Sequence, residues 1–444
     1  MSQQAGGKRA VGTLAEPVQL SAAAHDRFDP LVHWAARFAK RRALKRMLLG
    51  QTTVAREWSY WRQARHLPDG RPGSLLPGAS LLGCSRTENG IGESCRLAAG
   101  ALAQVGVPFG VVNMPFSLHC RQGDLRAVAH EIPYPAHRVS ILHMNPPEMR
   151  VMGEMLGRRG RRGRISIGVW HWELPVLPAD WRPALQEVDE FWAPSRFIER
   201  MLRDAGATRV LHMPHGVTVP ASPPMPRSAL GLRDDAYIFL MMFDVASYQE
   251  RKNPEGAILA FQRAFRPDSP VNLIVKLNNA AFRPVPSAAL EALAAGWPNI
   301  HFLRQPLNRD QVMALMQACD GFISLHRSEG FGLGPAEALA IGKPVIATDW
   351  SSTTDFVHRR HACPVGYRLV PVGADIGPYE AWQQWAEPDL DEAADWMRRL
   401  ALDPEWGREL GSRAAAFMQT EFSAQRAGER MGRRLQELGA LDPG

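Results

Sequence analysis

Apolar and polar positions fall along this chain in two series. The first contains short apolar runs that read as buried strands: ASLLGCS (79–85), PFGVVNM (108–114), RVSILHMN (138–145), RISIGVWHWEL (164–174), EFWAPS (190–195) and RVLHMPHGV (209–217). Stretches of helical spacing separate them, such as the glycine turn and helix of NGIGESCRLAAGALAQVG (89–106). The second series is YIFLMMFD (237–244), VNLIVKLN (271–278), NIHFLRQ (299–305), GFISLHR (321–327), KPVIATD (343–349) and YRLVPV (367–372). Helical stretches such as NPEGAILAFQRAF and RDQVMALMQACD lie between them. Strand–helix alternation of this kind predicts α/β architecture. TVPASPPMPRSALGL (218–232), with four prolines and no period, reads as a linker between the two halves.

The expected fold is therefore two Rossmann-like, doubly wound α/β domains facing a cleft, at 29–217 and 218–420. Residues 421–444 are expected to form a helix and tail that pack back on the first domain. Residues 1–28 read as a mobile tail, small and polar without period. After it, DPLVHWAARFAKRRALKRMLLG reads as an amphipathic helix, with Leu31, Trp34, Ala35, Phe38 and Ala39 at helical spacing and Lys and Arg opposite.

Composition narrows the class. A chain of 444 residues exceeds one ordinary core, and two domains fit its length. No apolar run is long enough to span a membrane, and the first residues have no secretory apolar region. Five cysteines, Cys84, Cys95, Cys120, Cys319 and Cys363, are odd in number, widely spaced and without a CxxC pair. They suit small buried side chains in a reducing cytoplasm rather than a disulfide or zinc framework. The net charge is +7, concentrated in ARFAKRRALKRMLLG (36–50) and GRRGRRGR (157–164). Such clusters suit phosphates on a nucleotide, a nucleic acid or a membrane, or are simply solvated faces.

The densest chemistry lies in SEGFGLGPAEALAIGKPVIATD (328–349), which reads as strand, glycine turn, helix and strand. Gly330, Gly332 and Gly334 let backbone approach a ligand closely. The amides of Phe331, Gly332, Leu333 and Gly334 lie at the positive end of a helix, which suits a pyrophosphate. Glu329 at the strand end and Glu337 in the first helical turn flank that turn. A carboxylate accepts hydrogen bonds from the hydroxyl pairs of a sugar ring. One sugar on each side of a pyrophosphate describes a nucleotide-sugar. A lone glutamate at such a place more often serves the helix dipole; the pair, the turn and nearby cations together favour the ligand.

EGFGLGPAEALAIGKPVIAT resembles the E-x7-E motif of family 4 retaining glycosyltransferases, which have the GT-B fold. FDVASYQERKNPEGAILAF (243–261) resembles the region that supplies their phosphate-binding lysine. IGVWHWELPVLPADW (167–181), DEFWAPSRFI (189–198) and MPHGV (213–217) are similar to the N-terminal domain of bacterial polysaccharide-type members. The resemblance covers about residues 79–420 and is most specific in the second half. It implies that Glu329 contacts donor sugar hydroxyls, Glu337 the ribose and Lys252 the pyrophosphate. Many members place Gly-Arg at the end of the first strand of the second domain. Here FDVAS stands there and Arg251 adjoins Lys252, so the identity of the second cation stays open. Gly90 and Gly92 of NGIGE resemble the glycine loop that faces the diphosphate and acceptor, with Ser85 and Arg86 as neighbours. Strand alternation puts His171 and Glu173 on one face, both candidates for the group beside the donor sugar, with Glu173 preferred.

The resemblance thus implies a retaining, metal-independent hexosyltransferase. Its partners would be a nucleotide-sugar donor, held as a co-substrate with no cofactor, and a glycan or polyprenyl-diphosphate-linked acceptor. A cytoplasmic protein associated peripherally with an anionic membrane surface fits the basic helix. No metal site is expected: DLD (389–391) follows a proline and precedes a helical stretch, so it reads as a cap. A nucleotide-sugar epimerase of the same architecture is the nearest rival. Nucleic-acid binding is permitted by the charge, but no RRM, KH or zinc signature supports it. A non-catalytic scaffold is disfavoured by both glutamates and the lysine standing in one chain.

Overall fold

The computed structural model describes residues 73–114, 120–220, 223–231, 233–279 and 284–442. The tail and basic helix expected over 1–65 lie outside the described residues. The first series of strands forms one parallel sheet of β1 (Leu76–Gly83), β2 (Phe109–Asn113), β3 (His137–His143), β4 (Ile165–Val169), β5 (Glu190–Ala193) and β6 (Val210–His212). The spatial order is β2-β1-β3-β4-β5-β6. The second sheet holds β7 (Tyr237–Asp244), β8 (Val271–Asn278), β9 (Ile300–Leu303), β10 (Gly321–Ser324), β11 (Val345–Thr348) and β12 (Cys363–Val365). Its order is β12-β11-β10-β7-β8-β9. β7 is buried along most of its length, because helices cover both faces of a parallel sheet.

The order reverses direction between β1 and β3 in the first sheet and between β7 and β10 in the second. At such a switch point the connections leave on opposite faces, and a crevice opens beyond the carboxyl ends of the strands. The loops that leave β7 and β10 carry Arg251, Lys252 and Glu329. The loops that leave β1, β3 and β4 carry Gly90, Asn145, His171 and Glu173. All of the described elements belong to one compact unit, Tyr60–Gly444.

Two features depart from the expected strand series. The run at 367–372 is a strand, β13 (Tyr367–Pro371), but it pairs antiparallel with β14 (Gln384–Pro388) in a separate hairpin. The sixth place in the second sheet is taken instead by Cys363–Val365, an edge strand where Pro364 costs no ladder bond. The linker contains a short 3-10 turn, Arg227–Leu230, whose Arg227 guanidinium pairs with Asp320 at 2.8 Å. Asp389 caps the helix Leu390–Leu402 by accepting from the amides of Asp391 and Glu392. After the helix Pro404–Glu421, the helix Ala424–Glu437 returns to the first half and packs on the helix Gly90–Gln104. Its Arg434 forks onto the buried carboxylate of Glu190 at the start of β5. All five cysteines are buried and free.

Candidate functional site

The carboxyl ends of both sheets face one cleft of about 1050 Å³. Its second-half wall begins where β7 ends. The chain turns at Tyr248, whose backbone is left-handed (φ 58°), into the four-residue helix Gln249–Lys252. A positive φ is strained for a bulky residue, and such strain is tolerated where the surroundings fix it. The turn places Arg251 and Lys252 side by side. Lys252 Nζ donates to Glu329 Oε1 at 2.5 Å, and Arg251 Nη1 donates to Glu329 Oε2 at 3.2 Å and to the Ser328 carbonyl at 2.8 Å. Burial by itself would raise the Glu329 carboxyl, but Lys252, Arg251 and His326 hold it down at about 2.

The glycine turn follows. Glu329 lies five residues beyond the end of β10, and the helix after it runs Leu333–Ala340. Gly332 has φ 92°, and a Cβ there would stand 2.6 Å from Thr353 Cγ2, so only glycine fits. Residues 329–335 and Glu337 all line the cleft. Phe331 is buried, with its ring against His215 (4.8 Å) and Phe356 (5.4 Å). Glu337 sits in the second turn of its helix rather than the first. It meets Arg309 Nη2 at 2.7 Å. Burial pushes Glu337 above the ordinary carboxylate range, with Arg309 opposing it. The two glutamates thus line one cleft but hold separate cations.

The first half supplies the facing wall. Beyond β4 the chain stays extended. Trp170 and Trp172 are buried in the first-half core, while His171 and Glu173 line the cleft. A Cβ added to Gly330 would touch Glu173 Cγ and His171 Cβ at 3.7 Å, so the glycine turn lies directly against these two residues. Asn145 holds the His171 backbone in both directions, accepting from its N–H at 2.9 Å and donating to its C=O at 3.1 Å. His171 Nε2 lies 3.1 Å from His215 Nε2. Burial lowers His171 to about 4 and holds His215 well below its ordinary value, with His171 and His143 adding to it there, so one neutral ring donates and the other accepts.

Glu173 is held from across the cleft. Arg251 Nη2 stands 3.4 Å from Oε1, and the Tyr379 hydroxyl donates to Oε2 at 3.0 Å. At the β1 end, Asn89 caps the helix Gly90–Gln104 by accepting from Gly92 N at 2.8 Å. Gly90 lines the cleft with open space beside it. Gly92 does not: a Cβ there would stand 2.3 Å from the Thr87 carbonyl, so its glycine serves packing inside the loop. Ser85 is buried, and Arg86 forms an ion pair with Glu131 at 2.5 Å.

Glu329, Lys252, Arg251, Glu173 and His171 therefore come together, and Glu337 lies further along the same cleft. Arg309, His215, Tyr248 and Tyr379 line it as well and were not singled out from sequence. Arg309 alone had a local signal. It opens a helix marked by the Asn308–Gln311 capping box.

Residues 227–362 match the family model described as glycosyl transferases group 1. No curated protein matches the chain. Similar solved structures include Anabaena HepE in complex with UDP and glucose, 16% identical, covering 81% of this chain and all of HepE, with a TM-score of 0.57. Another is sucrose-phosphate synthase from Thermosynechococcus elongatus, 18% identical over 82% of this chain and 99% of that one, with a TM-score of 0.60. A glycosyltransferase from Rickettsia africae is 11% identical over 82% and 99% of the two chains, with a TM-score of 0.58. The architecture is that of the GT-B glycosyltransferases. Within it, the match to the group 1 family model lies in the second half.

Proposed function

We propose that the protein is a retaining, metal-independent hexosyltransferase of the family 4 type. It takes a sugar from a nucleoside-diphosphate sugar and passes it to a glycan or polyprenyl-diphosphate-linked acceptor, in the synthesis of a bacterial surface polysaccharide. The observation that carries this reading is the convergence of Lys252 and Arg251 on Glu329, beside the glycine turn at the switch point of the second sheet. In the structure Glu329 pairs with both cations. With a donor bound, Lys252 and the turn amides take the diphosphate and Glu329 turns to sugar hydroxyls. Arg251 is anchored by two backbone carbonyls as well, so it stays in place as the second cation. Glu337 would take the ribose hydroxyls.

Fixed cations stabilise the charge that develops on the leaving diphosphate. In the front-face route the acceptor hydroxyl attacks on the side the diphosphate leaves, and the diphosphate accepts its proton. No protein nucleophile is required. Closure of the two halves would exclude water and limit hydrolysis of the donor.

A thermal-shift screen with UDP-, GDP-, ADP- and dTDP-sugars tests the donor assignment. A ligand at 100 times its Kd stabilises by about 2.7 kcal/mol. Transfer by the matching donor should persist in EDTA. Loss on chelation with recovery in Mg²⁺ or Mn²⁺ overturns metal independence, and an altered sugar nucleotide formed without any acceptor would favour the epimerase.

A further inference from the structure

The hairpin that leaves the second sheet makes an excursion between its strands, and that excursion reaches across the cleft. Val372, Tyr379 and Trp385 pack in the core of the first half, with Trp170, Trp172 and Trp181. The Tyr379 ring lies 5.3 Å from Trp172 and 5.2 Å, edge-on, from Tyr248. Tyr248 is the strained residue at which the cation-bearing turn begins. It lies so close over Gly377 that a Cβ there would stand 2.2 Å from the Tyr248 hydroxyl oxygen; Gly377 itself has φ 57°. One short segment therefore touches the start of the Arg251–Lys252 turn with its rings and Glu173 with its hydroxyl.

We propose that Tyr379 is a positioning residue of this site. Its hydroxyl fixes the Glu173 carboxylate against Arg251, across the boundary between the two halves. This inference rests on the glycosyltransferase reading of the cleft. The hydroxyl donates to Glu173 Oε2 at 3.0 Å, while Arg251 stands 3.4 Å from Oε1. Held at both oxygens, the carboxylate has one orientation. Glu173 lines the cleft beside Gly330, so a sugar hydroxyl bound there can donate to its remaining lone pairs. Burial, together with Glu173 and Tyr248, keeps the Tyr379 phenol well above its ordinary range despite Arg251, so it remains a neutral donor at any working pH. Tyrosine rather than phenylalanine is needed at 379 only if that hydrogen bond matters.

The test is a double-mutant cycle of Tyr379→Phe and Glu173→Gln on the full chain, with the donor found by thermal shift. Tyr379→Phe keeps the ring, so the melting temperature and the affinity for free nucleoside diphosphate should stay near those of wild type. kcat/KM for transfer should fall about tenfold, chiefly in kcat, as expected for a lost hydrogen bond to a charged group. Because the hydroxyl acts through Glu173, the double variant should be no slower than Glu173→Gln alone. Wild-type kinetics in Tyr379→Phe, or losses that multiply in the double variant, overturn the proposal while leaving the glycosyltransferase reading intact. A wild-type protein that binds no nucleoside diphosphate and transfers no sugar fails at the underlying reading, and this inference falls with it.

Discussion

Lys252 and Glu329 pair at 2.5 Å in the cleft. Replacing Lys252 by Ala should weaken free nucleoside diphosphate and donor alike, because both carry the diphosphate. Loss of a charged hydrogen bond costs about 1.5–3 kcal/mol. Calorimetry on Lys252→Ala showing wild-type nucleotide affinity would remove this residue from the site. Glu329 also links the site to acid stability. Its folded carboxyl is held at about 2, below the ordinary value near 4.3, so its contribution is complete above about pH 4.3 and is lost as pH falls through about 2. Urea unfolding at pH 7 and pH 3 should show a larger acid loss in wild type than in Glu329→Gln. Equal losses would show that the Lys252–Glu329 pair contributes nothing. The family resemblance singled out Glu329 and Lys252, adjacency to Lys252 made Arg251 a candidate, and the fold brings the three side chains together. Arg309 and Tyr379 were not legible in the sequence, because each reaches its carboxylate through the fold: Arg309 finds Glu337 from another helix, and Tyr379 finds Glu173 from an aperiodic stretch.

Among the elements, β7 and β8 fall at the residues read from their apolar runs, since a strand buried on both faces is apolar throughout. The hairpin and the sixth strand of the second sheet were harder. Local pattern marks Tyr367–Pro371 as a strand, but which neighbour it joins depends on a partner that arrives 17 residues later at Gln384–Pro388, after Tyr367. Cys363–Val365 is too short and proline-bearing to announce itself. The helix Ala424–Glu437 meets the helix Gly90–Gln104 through small residues. A Cβ on Gly428 would stand 2.2 Å from the Ala101 carbonyl, so the helices touch backbone to backbone there. Gly428→Ala should destabilise the protein by about 1–3 kcal/mol through overpacking. Denaturant unfolding that shows no loss would mean the two helices can separate freely at this point.

For the whole molecule, the formal charge of +7 does not collect around Glu329 in the cleft: Arg251 and Lys252 there are matched by Glu173 and Glu329. Much of the excess lies in residues 36–50, outside the described residues. Among the described residues no helix is long and apolar enough to cross a membrane. Each Lys or Arg near an anionic leaflet is worth about 1 kcal/mol, so on the proposed function this basic segment would hold the protein beside a lipid-linked acceptor. The full chain should sediment with anionic vesicles at low salt, and a version lacking residues 1–50 should remain in the supernatant. Equal behaviour of the two would leave the acceptor to be met in solution.

The helix Ala424–Glu437 also orders events in time. It covers part of the first half, yet every residue of the second sheet is translated before it. While a ribosome makes the second half, the helix Gly90–Gln104 waits without this cover and Glu190 waits without Arg434. Domains of a growing chain ordinarily fold in the order they emerge. Here the domain that emerges first is finished last, because its seam with this helix closes only when residues 424–437 arrive.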